Sequence, residues 1–368
     1  MTGTIAVVGA GAVGLTAAYD LARAGERVTV FERGSVAAGS TGRAAGVLYD
    51  AYAEDRDARI GRRAIERFRE FSGEGNFEFH DCPYCWFARD GDEKRATAIR
   101  EQVPRMRLHG IDAALLESKD LATLAPAMEI EDVGVAAITY GAGWTEPVTY
   151  AELLAGKARE AGAEIRTNTP VSLCEDGVQA EGREEAFETV IVAAGAHTKG
   201  LVEAAGYAIA MKPYRVQALV LDTEIEGPMG YDATAGFYFR PHPVGLLVGD
   251  GTEAVESDPD DWDREADEGF VDSALERASE RFGISEPAVE RAWAGLCTAT
   301  PDRDPLVGWL SADRYVATGW QGHGFMRAPA MGELITREVR GDSGIEAFRP
   351  TRFSGNEEFS ITEGMAVE

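Results

Sequence analysis

The sequence predicts an α/β fold built on a Rossmann-like nucleotide-binding unit. Three observations predict it. A β-rich run, Thr4 to Val8, enters the glycine loop Gly9-Ala10-Gly11-Ala12-Val13-Gly14. The loop opens a segment, Leu15 to Ala24, with apolar residues at helical spacing that stops at Gly25. A second β-rich run, Arg27 to Phe31, ends on the acid Glu32. The glycine pattern alone also fits a structural turn; the strand, loop, helix, strand and acid in this order point to a nucleotide.

Each part has a physical role. The first glycine allows the tight turn, the second lets backbone approach a pyrophosphate, and the third lets helix pack on strand. The helix N-terminus favours the phosphate charge. Glu32 at the end of the second strand can accept the hydroxyls of an adenosine ribose.

Composition narrows the setting. The 368 residues carry 36 Lys plus Arg against 63 Asp plus Glu, a formal net charge of −27. Such a surface repels nucleic-acid phosphate, so nucleic acid is excluded as a partner. Lys occurs only at 94, 119, 157, 199 and 212. Self-repulsion of this size is relieved by salt screening, which predicts a halophilic protein, the alternative being an acidic mesophilic one. The apolar opening Ile5 to Tyr19 has no basic residue ahead of it and is broken by glycines, unlike a secretory segment. No uninterrupted apolar run approaches the roughly 20 residues that span a bilayer. Four cysteines make no disulfide framework. The expectation is a cytoplasmic protein with no transmembrane segment.

Farther along, Thr149 and Glu152 form a capping-box pattern ahead of a helix from Tyr150 to Ala161 that Gly162 ends. Strands are expected at Ile165 to Thr167 and Phe187 to Ala193, the latter running into Ala194-Gly195-Ala196, with a hairpin of Val171 to Cys174 and Val178 to Ala180 turning at Asp176-Gly177. More strands are expected at Val216 to Leu221, Phe237 to Arg240 and Leu246 to Val248. Trp262, Ala266, Phe270, Ala274, Ala278 and Phe282 recur every four residues and predict one acidic surface helix. Tyr315 to Thr318 reads as a strand that enters Gly319-Trp320-Gln321-Gly322-His323-Gly324-Phe325 and then a helix from Ala328 to Arg340. Cys82-Pro83-Tyr84-Cys85 lies in a β-prone stretch, so its thiols are expected to be structural and no metal site is predicted.

Five blocks together resemble the D-amino-acid oxidase superfamily of FAD enzymes, which includes glycine- and sarcosine-oxidase-like enzymes and amino-acid dehydrogenases. They are Gly9 to Gly14 with Glu32, Gly39-Ser40-Thr41-Gly42-Arg43-Ala44-Ala45-Gly46, Val190 to Ala196, Thr300-Pro301-Asp302, and Gly322 to Phe325. The resemblance implies noncovalent FAD, because the cysteine that carries flavin in covalent relatives would fall near Gly295, two residues before Cys297, and the histidine that carries it in others has no clear match in the N-terminal loop. It implies that Gly9, Gly11, Ala12, Val13, Gly14, Glu32 and Arg33 hold the ADP half. Ser40, Thr41, Arg43, Ala44, Ala45, Gly46 and Val47 would wrap the linker to the flavin, Val171 would meet the adenine, and Ala194, Gly195 and Gly295 would lie against the cofactor. Gly319, Gln321, Gly322, His323, Gly324 and Phe325 would face the flavin pyrimidine edge. It also implies that 1–78, 146–212 and 290–368 form the FAD-binding domain, interrupted by an α+β substrate domain, 79–145 and 213–289, with a large, mainly antiparallel sheet.

The departures bear on substrate. Positions where relatives carry carboxylate-binding cations hold Cys297, Met326, Gly46 and Tyr49, and the position of their oxygen-activating Lys holds Leu247. Arg240 is left as the carboxylate clamp or, alternatively, as an ion-pair residue, with Tyr49, Tyr238 and Met326 lining an apolar pocket. His323 is either a flavin-loop residue or a proton carrier. The expected reaction is oxidation of a small amine or amino acid (sarcosine, glycine, proline or a D-amino acid) by hydride transfer from Cα to flavin N5, with electrons passing to a dye or an electron-acceptor protein. A 2-hydroxy acid substrate, or a non-catalytic FAD-bearing subunit of a complex, are the alternatives.

Overall fold

The computed structural model describes residues 3–285, 287–362 and 364. The glycine loop sits at the centre of a six-stranded sheet. Its strands run in the order Leu306–Trp309, Arg314–Thr318, Thr189–Val192, Thr4–Val8, Arg27–Phe31 and Glu164–Arg166, all parallel except the first. The central strands Thr4–Val8 and Thr189–Val192 are almost wholly buried, as expected for parallel strands covered on both faces. The helix Ala12–Arg23 buries ten of its twelve residues against the helices Pro147–Glu160 and Gly324–Val339. Phe68, Phe77, Tyr150 and Phe325 pack together there, with ring centroids 4.8 to 6.1 Å apart.

A second, eight-stranded sheet carries the order Val289–Ala299, Lys212–Leu221, Gly245–Thr252, Phe237–His242, Met229–Asp232, Tyr84–Arg89, Val133–Thr139 and Ala113–Leu116. Its pairs are antiparallel except for Met229–Asp232 beside Tyr84–Arg89. Alternation along each strand separates two faces. Cys85, Phe87, Leu219, Leu221, Phe237, Phe239, Leu246 and Val248 pack with Phe270, Ala274, Ala278 and Phe282 of the helix Glu268–Phe282. The opposite face carries Tyr84, Trp86, Ala218, Tyr231, Leu247 and Trp293.

Several boundaries differ from the sequence expectation. The strand Val289–Ala299 edges the eight-stranded sheet, so the expected domain boundary at 290 falls at the start of a strand of that sheet. The helix expected from Tyr150 begins at Pro147, whose ring fits the first helical turn, and the Thr149 hydroxyl donates to Glu146 O at 2.7 Å. The acidic helix starts at Glu268, so Trp262 and Ala266 precede it. The last helix begins at Gly324, with Pro329 still within it. Cys82 and Cys85 belong to different apolar clusters, and burial pushes the Cys85 thiol up to about 12.

Candidate active site

The glycine loop leaves space where a phosphate group would go. Gly9 has φ +111, and a Cβ there would meet Ala193 O at 2.5 Å; a Cβ on Gly14 would meet Gly9 O at 2.1 Å. These two are closed by neighbouring backbone. Gly11 is different: with φ −83 any residue could adopt its backbone, and a Cβ would meet only the Thr41 Oγ1 at 3.1 Å. The space above Gly11 is therefore left open by the protein itself, as a pyrophosphate cradle requires. Glu32 is fixed at the strand end, its carboxylate accepting from Ala10 N at 2.9 Å and Gly34 N at 2.8 Å. Arg33 follows it, and Val171 opens the hairpin beside Thr169, whose N–H donates to Glu32 O at 2.8 Å.

The second segment crosses this loop as the short 3-10 turn Ser40–Arg43. Thr41 Oγ1 accepts from Ala12 N at 3.0 Å, Ser40 Oγ donates to Leu296 O at 2.6 Å, and Arg43 donates to Ala294 O at 2.8 Å. Ala44 and Ala45 are half-buried, Gly46 at φ +71 closes against Thr145 O, and Val47 pairs with Trp144. Val13 and Ala12 are buried, Ala194 leads into Gly195, and a Cβ on Gly195 would approach only Ser40 Oγ, at 4.0 Å. Gly295 backs onto Arg43. These segments fit the group that the sequence implied: open glycine backbone, an acid at the ribose position and a helix N-terminus all converge.

In the last glycine loop, Gly322 is exposed and borders open space, while His323 caps the helix that starts at Gly324. Two side chains of this block turn elsewhere. The Phe325 ring packs against Phe68 and Tyr150 in the core under the six-stranded sheet, and the Gln321 amide donates to Thr362 O at 2.6 Å. Gly319 is closed by Thr300 and Leu306. The block thus offers backbone at 322 to 324, not the side chains of 321 and 325.

Above it stands an aromatic wall. Consecutive cross-strand neighbours on one face of the eight-stranded sheet are Trp293, Ala218, Gly249, Tyr238, Tyr231, Trp86 and Ala137. Tyr238 leans across its partner strand; a Cβ on Gly249 would meet the phenol Cζ and Oη at 2.1 Å. Tyr84 stacks on Trp86 at 5.7 Å and on Tyr49 at 4.5 Å. Tyr49 Oη then hydrogen-bonds His323 Nε2 at 3.0 Å, and Tyr52 Oη donates to Met326 Sδ at 3.1 Å. Tyr238 and Met326 pack against the apolar cluster that contains Tyr49, and the Tyr49 ring meets the His323 ring edge-on at 6.1 Å.

The electrostatics are those of a dry site. Burial, helped by Arg327, pushes His323 down to about 3, so the ring is neutral at ordinary pH. Burial raises the Tyr49 and Tyr52 phenols, which keep their protons. Arg327 lies over the Tyr52 ring at 4.7 Å and pairs with Asp57 at 2.9 Å.

Arg240 has partners other than the substrate carboxylate expected for it. Its side chain is 1% exposed and pairs with Glu146 at 2.9 Å, donates to Pro241 O at 2.7 Å and to Ala45 O, and lies over the Trp144 ring at 4.7 Å. Sequence reasoning missed Tyr84, Trp86, Tyr231 and Trp293. Their alternation at 84 and 86 was a usable signal; the sheet order that sets Tyr231 beside Trp86 was not visible in the chain. Among the described residues no cluster of His, Cys, Asp and Glu could hold a metal ion, and no helix is long and apolar enough to cross a membrane.

A nucleotide-type glycine cradle in one sheet, and a second sheet whose aromatic face reaches the last glycine loop through Tyr49 and His323, suit a dinucleotide-dependent oxidoreductase. The comparisons with known proteins say which. The family model for FAD dependent oxidoreductases of the DAO type matches residues 4–338, and the chain belongs to that family. It is 28% identical to a glycine oxidase of Bacillus licheniformis over 94% of this chain and 96% of that protein. It is 25% identical to a sarcosine oxidase subunit beta of Arthrobacter, covering 92% of this chain and 87% of that one. The solved L-proline dehydrogenase of P. horikoshii superposes with a TM-score of 0.88 at 26% identity, over 97% of this chain and 99% of the other. The chain is an FAD-dependent oxidoreductase, and the relatives it resembles are by name enzymes of glycine, sarcosine and L-proline.

Proposed function

We propose that this enzyme oxidises a small amine or amino acid of the sarcosine, glycine, proline or D-amino-acid type, with FAD held noncovalently. The observation that carries this is the aromatic wall of Tyr49, Tyr84, Trp86, Tyr231 and Tyr238, tied to the last glycine loop by the hydrogen bond between Tyr49 and His323. Bound FAD supplies the hydride acceptor. The chain's own groups do the rest. Aromatic faces attract a substrate ammonium and hold it by cation–π contact, worth about 1 to 2 kcal/mol when desolvated. Water exclusion by the same rings favours the neutral amine that must lose hydride. Backbone N–H groups of Gly322 and Gly324, at the start of the helix Gly324–Val339, favour negative charge nearby, while the His323 N–H donates to Trp320 O at 2.8 Å. His323, with a pKa of about 3, is too weak a base to store the amine's proton and serves instead to orient Tyr49. Within this reading Arg240 acts as a clasp that ties Ala45 to Glu146 and Trp144, in place of a direct carboxylate clamp. Leu247, buried beside Ala218, Val220 and Trp293, leaves an apolar surface where oxidase relatives carry a cation, and this favours a dye or protein electron acceptor.

The test is an anaerobic titration of the yellow holoenzyme with sarcosine, glycine, L-proline, D-alanine and, as the rival chemistry, lactate. Flavin bleaching by one of the amines is expected. Bleaching by lactate alone would replace the reading with hydroxy-acid oxidation, and no bleaching by any would favour a non-catalytic subunit. The likeness to a sarcosine oxidase subunit beta makes the last outcome worth checking against a complex. Acid precipitation should leave FAD in the supernatant; flavin in the pellet would contradict noncovalent binding.

A further inference from the structure

Segment 253–267 leaves the eight-stranded sheet after Gly245–Thr252 and returns to the helix Glu268–Phe282. Its two ends are fastened together. Arg215, 7% exposed, pairs with Glu253 and with Asp267 at 2.7 Å, and Gln217 Nε2 donates to the same two carboxylates at 3.2 and 3.0 Å. A surface excursion whose ends meet in this way is an Ω-loop. Its far end does not stay with the sheet it comes from. Asp260 pairs with Arg33 at 3.0 Å and with His197 at 3.2 Å, His197 Nε2 also reaches Pro259 O at 3.1 Å, and Glu256 pairs with Lys199 at 3.0 Å. Between base and tip, Arg43 stacks over Trp262 at 5.5 Å.

These anchor points are next to all three cradle segments: Arg33 follows Glu32, Arg43 ends the turn Ser40–Arg43, and His197 and Lys199 follow Gly195. We propose that segment 253–267 is a strap across the ADP end of the FAD site, and that the lifting of its tip limits how fast FAD leaves. The contrast between its two ends supports a hinge. The base rests on a buried arginine, whereas the tip is held by more open pairs, Arg33 and Asp260 being 51% and 73% exposed and Lys199 and Glu256 28% and 43%. Pairs of that kind are individually weak and break readily, so the tip can lift while the base stays closed.

This inference rests on the FAD reading, and the experiment separates the two. Holoenzyme is diluted into buffer with excess competing apoflavoprotein, and FAD release is followed by fluorescence for the wild type, for Asp260→Asn combined with Lys199→Gln, and for Arg337→Gln, which breaks an equally exposed pair with Asp342 elsewhere. The double variant should release FAD about three- to tenfold faster, as expected from losing two weak ion pairs. The Arg337→Gln rate should match the wild type, and the melting temperature of all three apoproteins should agree. Molar salt should speed release from the wild type more than from the double variant. Equal release rates would overturn the strap, as would faster release accompanied by a matching loss of apoprotein stability. A wild-type protein that binds no FAD would instead remove the reading beneath it.

Discussion

Arg240 and Glu146 make an asymmetric pair, and the asymmetry predicts which half matters more. The guanidinium is 1% exposed while the Glu146 side chain is 41% exposed. Glu146→Ala would leave a buried charge with only carbonyl partners, at a cost of about 3 kcal/mol, the low end for breaking a buried pair. Arg240→Met is milder. Glu146 can take up water, the half-exposed Ala45 and Pro241 carbonyls can do the same, and a linear apolar side chain fills much of the space beside Trp144. We expect a cost of about 1 kcal/mol for that change, from hydrogen bonds exchanged for water. Urea denaturation of the two holoenzyme variants should therefore rank Glu146→Ala the less stable by about 2 kcal/mol. Steady-state kinetics on the best amine should show a loss in kcat/KM for Arg240→Met of under about tenfold, since its guanidinium is already taken up by Ala45 O, Pro241 O and Glu146. The reasoning is refuted if Arg240→Met proves the less stable variant. It is refuted equally if that variant keeps its stability and FAD content yet loses a hundredfold or more in kcat/KM, which would make Arg240 the direct carboxylate clamp.

Four further outcomes are expected. Gly11→Val should fold, because a Cβ there meets only the movable Thr41 hydroxyl, and should purify colourless because the side chain occupies the phosphate space; a variant that keeps full FAD absorbance contradicts the cradle. His323 is held neutral well below its usual titration range, so the unfolded chain takes up a proton below about pH 6.5 that the folded chain refuses until about pH 3. Stability should then fall on acidification through that window, by about 2 kcal/mol at pH 5 relative to pH 7, and His323→Gln should flatten the slope; an unchanged slope would count against a neutral buried ring. The −27 net charge predicts melting temperatures that climb from low ionic strength to molar KCl, and a flat or falling series would sink the halophilic reading. Reduced enzyme mixed with air-saturated buffer should reoxidise slowly, given the apolar surroundings of Leu247, and peroxide formed at the full turnover rate would show otherwise.

The sequence by itself determined the cofactor end of this protein. Gly9 to Gly14, the run to Glu32 and the glycine block before the last helix are contiguous in the chain, and their chemistry is backbone chemistry set by φ, by missing Cβ atoms and by helix ends, all of which local sequence encodes. Binary patterning also marked the strands around 216–221, 237–240 and 246–248, because one face of each packs on the helix Glu268–Phe282. What lay beyond local sequence was the order of strands. Only the sheet places Tyr231 between Tyr238 and Trp86, and only the tilt of Tyr238 over Gly249 explains why a glycine stands in a strand interior. The partners of Arg240 were equally hidden: Glu146 is 94 residues away and Ala45 is 195 away. A buried guanidinium accepts whichever carbonyls and carboxylate the fold brings to it. Periodicity carried Trp262 and Ala266 into the acidic helix, but the ties from Arg215 and Gln217 to Asp267 hold that stretch in a loop instead. Tertiary hydrogen bonds to a buried arginine outweigh a helical pattern of a few tenths of a kcal/mol per residue, so the loop and its reach toward Arg33 and His197 were decided by the folded structure alone.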